Sequence, residues 1–166
     1  YSTDERWLVP HFEKMLYDNA LLVKLYLHAY QITGKLLYRK VVEETLGYIL
    51  REMTDKSGGF YSSQDADSES IEGKFFIWKP QEIIEVLGER EAEIMNSYYG
   101  VTESGNFEES NILHISSNES SLAEKYNLTK KTLQDRVNQS KSKLLAAREH
   151  RIRPARDNKI LTGWNG

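Results

Sequence analysis

Between Pro10 and Thr33 apolar residues fall on nearly every face of a helical wheel: Phe12, Met15, Leu16, Leu22, Val23, Tyr26, Leu27 and Tyr30. A helix apolar all round is one surrounded by other helices. Pro10 suits a first helical position, where its missing N–H costs nothing. Gly34 suits a stop. The pattern therefore predicts a helix over 10–33, the most buried of the chain. Residues 36–54 read differently. Val42, Leu46, Ile49 and Met53 make one stripe, and Arg39, Lys40, Glu43, Glu44, Arg51 and Glu52 a charged face, as on a half-wet outer helix. The link Thr33-Gly34-Lys35 is short, so the two helices run antiparallel as a hairpin.

The period then changes. Residues 58–62 and 74–78 are rich in aromatics and read as two strands, making a β-hairpin insert at about 57–79 with a long acidic tip, Gln64 to Gly73. Helical pattern returns over 80–87 and 89–99, divided by Gly88. Residues 100–118 are irregular, with 111–115 extended, and 122–126 form a short helix. Thr129 caps a long helix running to about His150, with Leu133, Val137, Leu144 and Leu145 inside. A loop containing Pro154 follows, and Trp164 opens a further helix. No sequence repeat occurs at the roughly 34–47 residue period of helical solenoids. Unequal loops and a β-insert fit a closed ring of α-hairpins better.

Helix direction brings polar groups together. The segment around His11 and the acidic hairpin share one end of the helix pair. If 80–99 is a single crossing, the loop 151–165, with Arg156, Asp157, Lys159, Trp164 and Asn165, joins them. On a helix from Pro10, His11, Lys14 and Asp18 follow i, i+3, i+7 spacing and share a face, while Glu13 points about 200° away from His11. The plain alternative is an i, i+4 pair of Lys14 and Asp18 with His11 as an ordinary polar residue near the helix start. Asp65 and Asp67 alternate with Ala66 and Ser68, so on an extended segment both carboxylates face the same way. Such a pair serves acid/base chemistry or grips sugar hydroxyls; the alternative is a solvated acidic turn. A calcium loop is disfavoured, since the central Gly and the final Glu are missing.

Composition narrows the class. The 166 residues suffice for one domain. With 22 Lys and Arg against 25 Asp and Glu, no basic patch suggests nucleic acid. No apolar run approaches the roughly 20 residues of a membrane span. Cysteine is absent, so there is neither a disulfide framework nor a thiolate metal site, which agrees with a cytoplasmic location. Zinc-protease, phosphate-loop and nucleophile-elbow motifs are missing, and the four His have no ligand spacing. No metal and no cofactor is expected. The ends, Tyr1-Ser2 and Asn165-Gly166, read as those of an excerpt from a larger protein.

Four strings carry a resemblance: Asp4 to Asp18 (DERWLVPHFEKMLYD), Gly58 to Ser68 (GGFYSSQDADS), Glu72 to Trp78 (EGKFFIW) and Asp157 to Gly166 (DNKILTGWNG). In this order they resemble the YyaL/spermatogenesis-associated protein 20 family. The resemblance implies an N-terminal thioredoxin-like domain, not present in this chain, followed by an (α/α)6 toroid of the six-hairpin glycosidase type. Residues 1–166 would be part of that toroid, an all-α fold with the small β-hairpin insert. It implies kinship of fold with sugar epimerases and glycoside hydrolases, but no specific reaction.

Three functions follow. The first is a carbohydrate-active pocket for a small-molecule ligand. His11 would be a general acid or base, and Asp65 and Asp67 would supply a second acid/base group or hold hydroxyls. Trp7, Tyr61, Trp78 and Trp164 would stack on sugar faces. Glu13, Lys14, Asp18, Lys159 and Asn165 complete the expected substrate-binding set. The second is a non-catalytic ligand- or client-binding module coupled to a thioredoxin-like redox domain. The third is structural, with the polar motifs tying loops together. As a piece of a ring, the segment is also expected to self-associate through exposed apolar helix faces.

Overall fold

Helix dominates the chain. The computed structural model describes every residue from Tyr1 to Gly166. In chain order the elements are β1 (Lys14–Met15), α1 (Leu16–Thr33), α2 (Leu36–Glu52), β2 (Ser63–Gln64), β3 (Asp67–Ser68), β4 (Ile71–Glu72), α3 (Pro80–Leu87), α4 (Glu89–Tyr99), α5 (Glu119–Lys125), α6 (Lys130–Arg148), β5 (Arg156–Asp157) and α7 (Thr162–Asn165). The chain divides into two compact units: Tyr1–Pro10 with Gly73–Arg153, and His11–Glu72 with Pro154–Gly166. No helix is long and apolar enough to cross a membrane.

The second of these units contains the expected α-hairpin. Gly34 closes α1 with φ 65° and donates its N–H to the Tyr30 carbonyl at 2.8 Å. Only glycine adopts this left-handed conformation freely. The helix starts later than its apolar pattern suggested. Lys14 and Met15 spend their backbone on a ladder with Gln64 and Ser63, and the Leu16 N–H donates to the Ser62 carbonyl at 2.9 Å. Pro10 therefore does not open α1. Nor is α1 the most buried helix: of its residues only Leu16 is fully buried, while Leu21, Leu25 and Ile32 are 64%, 62% and 85% exposed. On α2, Val42 and Ile49 are buried as the stripe predicts, whereas Leu46 is exposed and Glu52, expected on the charged face, is buried and paired with Arg51 at 2.8 Å. Leu16, Ile49 and Met53 form a small core, with Tyr48, Phe60 and Trp164 packed against it.

The β-insert also differs from expectation. Segments 58–62 and 74–78 do not pair. The hairpin is confined to β3 and β4, with Asp67 opposite Glu72 and Ser68 opposite Ile71. Its two turn residues, Glu69 and Ser70, both have positive φ (54° and 62°). That is the backbone of a two-residue hairpin turn whose twist matches its strands. The aromatic segment ahead of β2 is a loop folded on Asp55. Its carboxylate accepts from the Ser57 N–H at 2.8 Å and from the Tyr61 hydroxyl. Bonds from the Ser57 and Tyr61 side chains hold the Asp55 carboxyl far below the usual range. The same bond raises the Tyr61 phenol.

The other unit packs α3 to α6 around Ile83, Met95, Leu133 and Val137. Gly88, at φ 78°, separates α3 from α4. The Thr129 hydroxyl accepts the Thr132 N–H at 3.0 Å and caps α6, the predicted start. The buried stripe of α6 includes the expected Leu133, Val137 and Leu144.

Asn111 was not anticipated as a core residue, yet it is 0% exposed. Its backbone exchanges hydrogen bonds with Trp78 at 2.7 and 2.9 Å. Its side chain accepts from the Thr102 N–H and donates to the Thr102 carbonyl, both at 3.0 Å. One amide thus satisfies both backbone groups of a neighbouring strand-like segment. Arg151 closes the other side of Trp78. It donates to the Phe75 and Ile77 carbonyls at 3.1 and 2.7 Å, pairs with Glu82 at 3.0 Å, and lies 4.1 Å over the indole ring.

Two outcomes follow for stability. Asn111→Ala leaves the Thr102 amide and carbonyl without partners, and should cost about 2–3 kcal/mol in urea unfolding; a loss within error would contradict this bonding. For Asp55 and Tyr61 the signs are opposite. The depressed Asp55 carboxyl stabilises the fold above its unfolded value of about pH 4 and loses that effect as pH falls below it. The raised Tyr61 phenol contributes below its unfolded value of about pH 10, and the effect disappears as pH rises above that. Urea midpoints measured from pH 2.5 to 11 should fall at both limbs. Asp55→Asn should flatten both.

Candidate functional site

The site grows from a three-stranded ladder in the unit His11–Glu72 and Pro154–Gly166. β2 lies at its centre, antiparallel to β1 on one side and to β5 on the other. Lys14, Gln64 and Arg156 form one cross-strand row, and Met15, Ser63 and Asp157 the next. Successive residues of a strand point to opposite faces, so these two rows face opposite ways.

The first face is turned to α2. The Tyr48 hydroxyl donates to Gln64 Oε1 at 3.0 Å. Arg156 donates to the Glu52 carbonyl at 2.8 Å, and its guanidinium lies 4.0 Å over the Tyr61 ring. Lys14 donates to the Phe12 carbonyl at 2.5 Å and shares an open groove of about 290 Å³ with Asn19, Glu44, Thr45 and Tyr48. The two cations of the ladder are thus committed to its helix side.

The second face carries acids. Asp157 accepts from Lys159 Nζ at 2.9 Å and from the Lys159 N–H at 3.2 Å. The Lys159 ammonium, followed by that backbone bond, holds the Asp157 carboxyl below the usual range. The Asp65 N–H donates to the Ala155 carbonyl at 2.8 Å, which carries the β2–β5 register one row further. Glu13, the residue just before β1, is next in that row. Alternation assigns Asp65 and Glu13 to the face of Asp157. His11, three residues before β1, sets Nε2 at 3.3 Å from Glu13 Oε2, with both side chains about one-third exposed. A carboxylate at this distance can fix an imidazole's orientation.

The sequence-predicted residues therefore divide. Strand pairing joins the three expected segments, around His11, around Asp65 and around Lys159, within one unit. His11 and Glu13 are partners because the segment is extended, not helical, so the i, i+3, i+7 face of His11, Lys14 and Asp18 does not form. Asp18 is exposed in the first turn of α1, and Lys14 turns to the α2 side. Asp65 and Asp67 are both exposed, Asp67 opposite Glu72 in its hairpin.

Tyr61, Trp78, Trp164 and Asn165 take packing roles, and Trp7 does not. Tyr61 is held between Asp55 and Arg156. Trp164 meets Tyr17 edge-on, with ring centroids 4.8 Å apart, and packs against the small core. Asn165 accepts the Phe60 N–H at 2.7 Å and donates to the Phe60 carbonyl at 3.1 Å, acting as a one-residue strand partner. Trp7 and Trp78 lie in the other unit. Trp78 offers no stacking face: it is 4% exposed, with Arg151 over its ring. Trp7 is 83% exposed in a loop where Asp4 accepts the Leu8 and Val9 N–H groups at 2.9 and 2.7 Å.

Sequence reading placed Arg156 and Asp157 in the loop that joins this end but gave neither a role. The alternation Arg156-Asp157-Asn158-Lys159 was a usable signal once this loop was placed beside β2.

No family model matches the chain. The whole chain aligns with spermatogenesis-associated protein 20 of Homo sapiens at 35% identity and of Rattus norvegicus at 34%, covering 24% of each. An uncharacterized protein of Caenorhabditis elegans aligns at 29% identity, with 26% of its length covered. The chain spans about a quarter of the length of the curated relatives it matches. These alignments agree with the resemblance read from the four strings: the chain is similar along its whole length to a segment of spermatogenesis-associated protein 20.

Proposed function

We propose that the acid-bearing face of the β1–β2–β5 ladder is a carbohydrate-binding active site at one end of an (α/α)6 toroid, to which α1 and α2 contribute a hairpin. The observation that carries this reading is the half-buried His11–Glu13 pair at 3.3 Å, just ahead of the ladder that Asp65 follows in β2 and the Asp157–Lys159 pair closes in β5. A His oriented by a carboxylate suits proton transfer near neutral pH. In an epimerase- or isomerase-type reaction His11 moves the proton at the carbon next to a carbonyl. Asp65 acts on the opposite hydroxyl or carbonyl oxygen, and Asp67 holds further hydroxyls. Glu13 orients the imidazole. The apolar, exposed flank of α1 supports the toroid, because Leu21, Leu25 and Ile32 recur at helical spacing as they do on a helix packed against others.

Isothermal calorimetry of the intact polypeptide against a panel of neutral monosaccharides tests the reading. A bound sugar should lose at least about tenfold in affinity in His11→Ala or Asp65→Asn. Exchange of its carbon-bound hydrogen in deuterium oxide, followed by NMR, should slow by about 10²–10⁴ in His11→Ala, as for loss of a general base. A sugar that binds both variants as tightly as the unaltered protein overturns the site. Tight binding without exchange leaves a binding module and overturns the catalytic role.

A further inference from the structure

The charge arrangement of this ladder restricts what it can hold, an inference that rests on the reading above. Residues 57–73 contain no Lys or Arg but carry Asp65, Asp67, Glu69 and Glu72. The two basic residues that the ladder contributes are turned away and occupied. Lys14 is bonded to the Phe12 carbonyl and lines the α2 groove. Arg156 is bonded to the Glu52 carbonyl and Asn158 and stacks on Tyr61. The opposite face keeps Glu13, Asp65 and Asp157. Its one strong cation, Lys159, is bonded to Asp157.

From this we infer that the site takes neutral, unphosphorylated sugars and discriminates against sugar phosphates. A phosphate brings close to two negative charges beside three carboxylates, and Lys159 could serve it only by leaving Asp157. Hydroxyl groups suit the same arrangement. Each is both donor and acceptor, so a vicinal diol donates to Asp157 or Asp65 and accepts from Lys159 without displacing any existing charge pair. Selectivity of this kind comes from repulsion of the wrong ligand as much as attraction of the right one. Because the carboxylates on this face are partly exposed, the discrimination should weaken as salt screens them.

Calorimetry with matched pairs checks this: glucose, mannose and N-acetylglucosamine, each against its 6-phosphate, at about 20 mM and 500 mM salt. The free sugar of at least one pair should bind about tenfold or more tighter at low salt, and the gap should narrow at high salt. Asp65→Asn combined with Asp67→Asn should narrow it as well, by raising affinity for the phosphate form. Equal or tighter binding of the phosphates, lost in His11→Ala, overturns the charge selectivity while leaving the sugar site standing. Binding of none of the six, or binding that His11→Ala leaves intact, overturns both.

Discussion

Everything at the candidate site depends on the pairing of two residues, Ser63 and Gln64, on both their edges. β1 precedes α1, β2 follows α2, and β5 lies near the end of the chain. Without β2 between them, the first and last strands would have no common partner. Two-residue strands are far too short to persist on hydrogen bonds alone, since each bond contributes only about 1 kcal/mol net. Their stability comes from side chains that reach out of the ladder. Tyr48 fixes Gln64, and Arg156 ties β5 to the end of α2. Asn165 pairs with Phe60, near the entrance to β2. The helical hairpin is the scaffold and the ladder is its polar attachment, so an error in one anchor displaces acidic groups on the opposite face.

This division of labour explains why the aromatic and amide residues of the motifs proved structural. Tyr61, Trp164 and Asn165 stand in the same strings as Asp65 and Lys159, and a reader of sequence assigns them together. In space they separate. An aromatic ring next to a loop gains most by packing on whatever core is available. The small core of Leu16, Ile49 and Met53 is supplemented by Trp164 and Phe60. Tyr61 keeps its hydroxyl bonded to Asp55 and its face under Arg156. The charged groups of the same strings are not consumed in this way: Glu13, Asp65, Asp67 and the Asp157–Lys159 pair stay at least partly exposed.

The legible part of the fold was the part governed by local rules. Gly34, Gly88 and Thr129 marked helix ends correctly because a left-handed residue, a flexible break and a hydroxyl cap act within a few residues of the chain. The stripes of α2 and α6 were readable for the same reason. The start of α1 was not. Pro10 and the apolar run after it satisfy every local criterion for a helix, but residues 14 and 15 find partners from β2, and long-range pairing overrides propensity. The same override removed the long β-hairpin, whose aromatic arms found different partners. Asn111 was illegible for another reason: nothing in sequence distinguishes an asparagine that substitutes for a strand from one that caps a turn.

The misplaced helix start changes the chemistry, not only a boundary. Had residues 11–15 been helical, Glu13 would have pointed away from His11, and Lys14 and Asp18 would have shared its face. The extended segment instead brings Glu13 to the imidazole and sends Lys14 to the helix side. A carboxylate beside the ring can accept its N–H and steer its orientation, which a lysine cannot do. Strand geometry thus converts a mixed, mutually neutralising cluster into an acid-rich face with an oriented histidine. Period two separates what period 3.6 would have mixed. Gln64 is buried against Tyr48 while its neighbour Asp65 is exposed, and Arg156 lies over Tyr61 while its neighbour Asp157 pairs with Lys159. Two residues per strand suffice to separate Lys14 and Arg156 from Asp157, because adjacent strand positions face opposite sides whatever their burial.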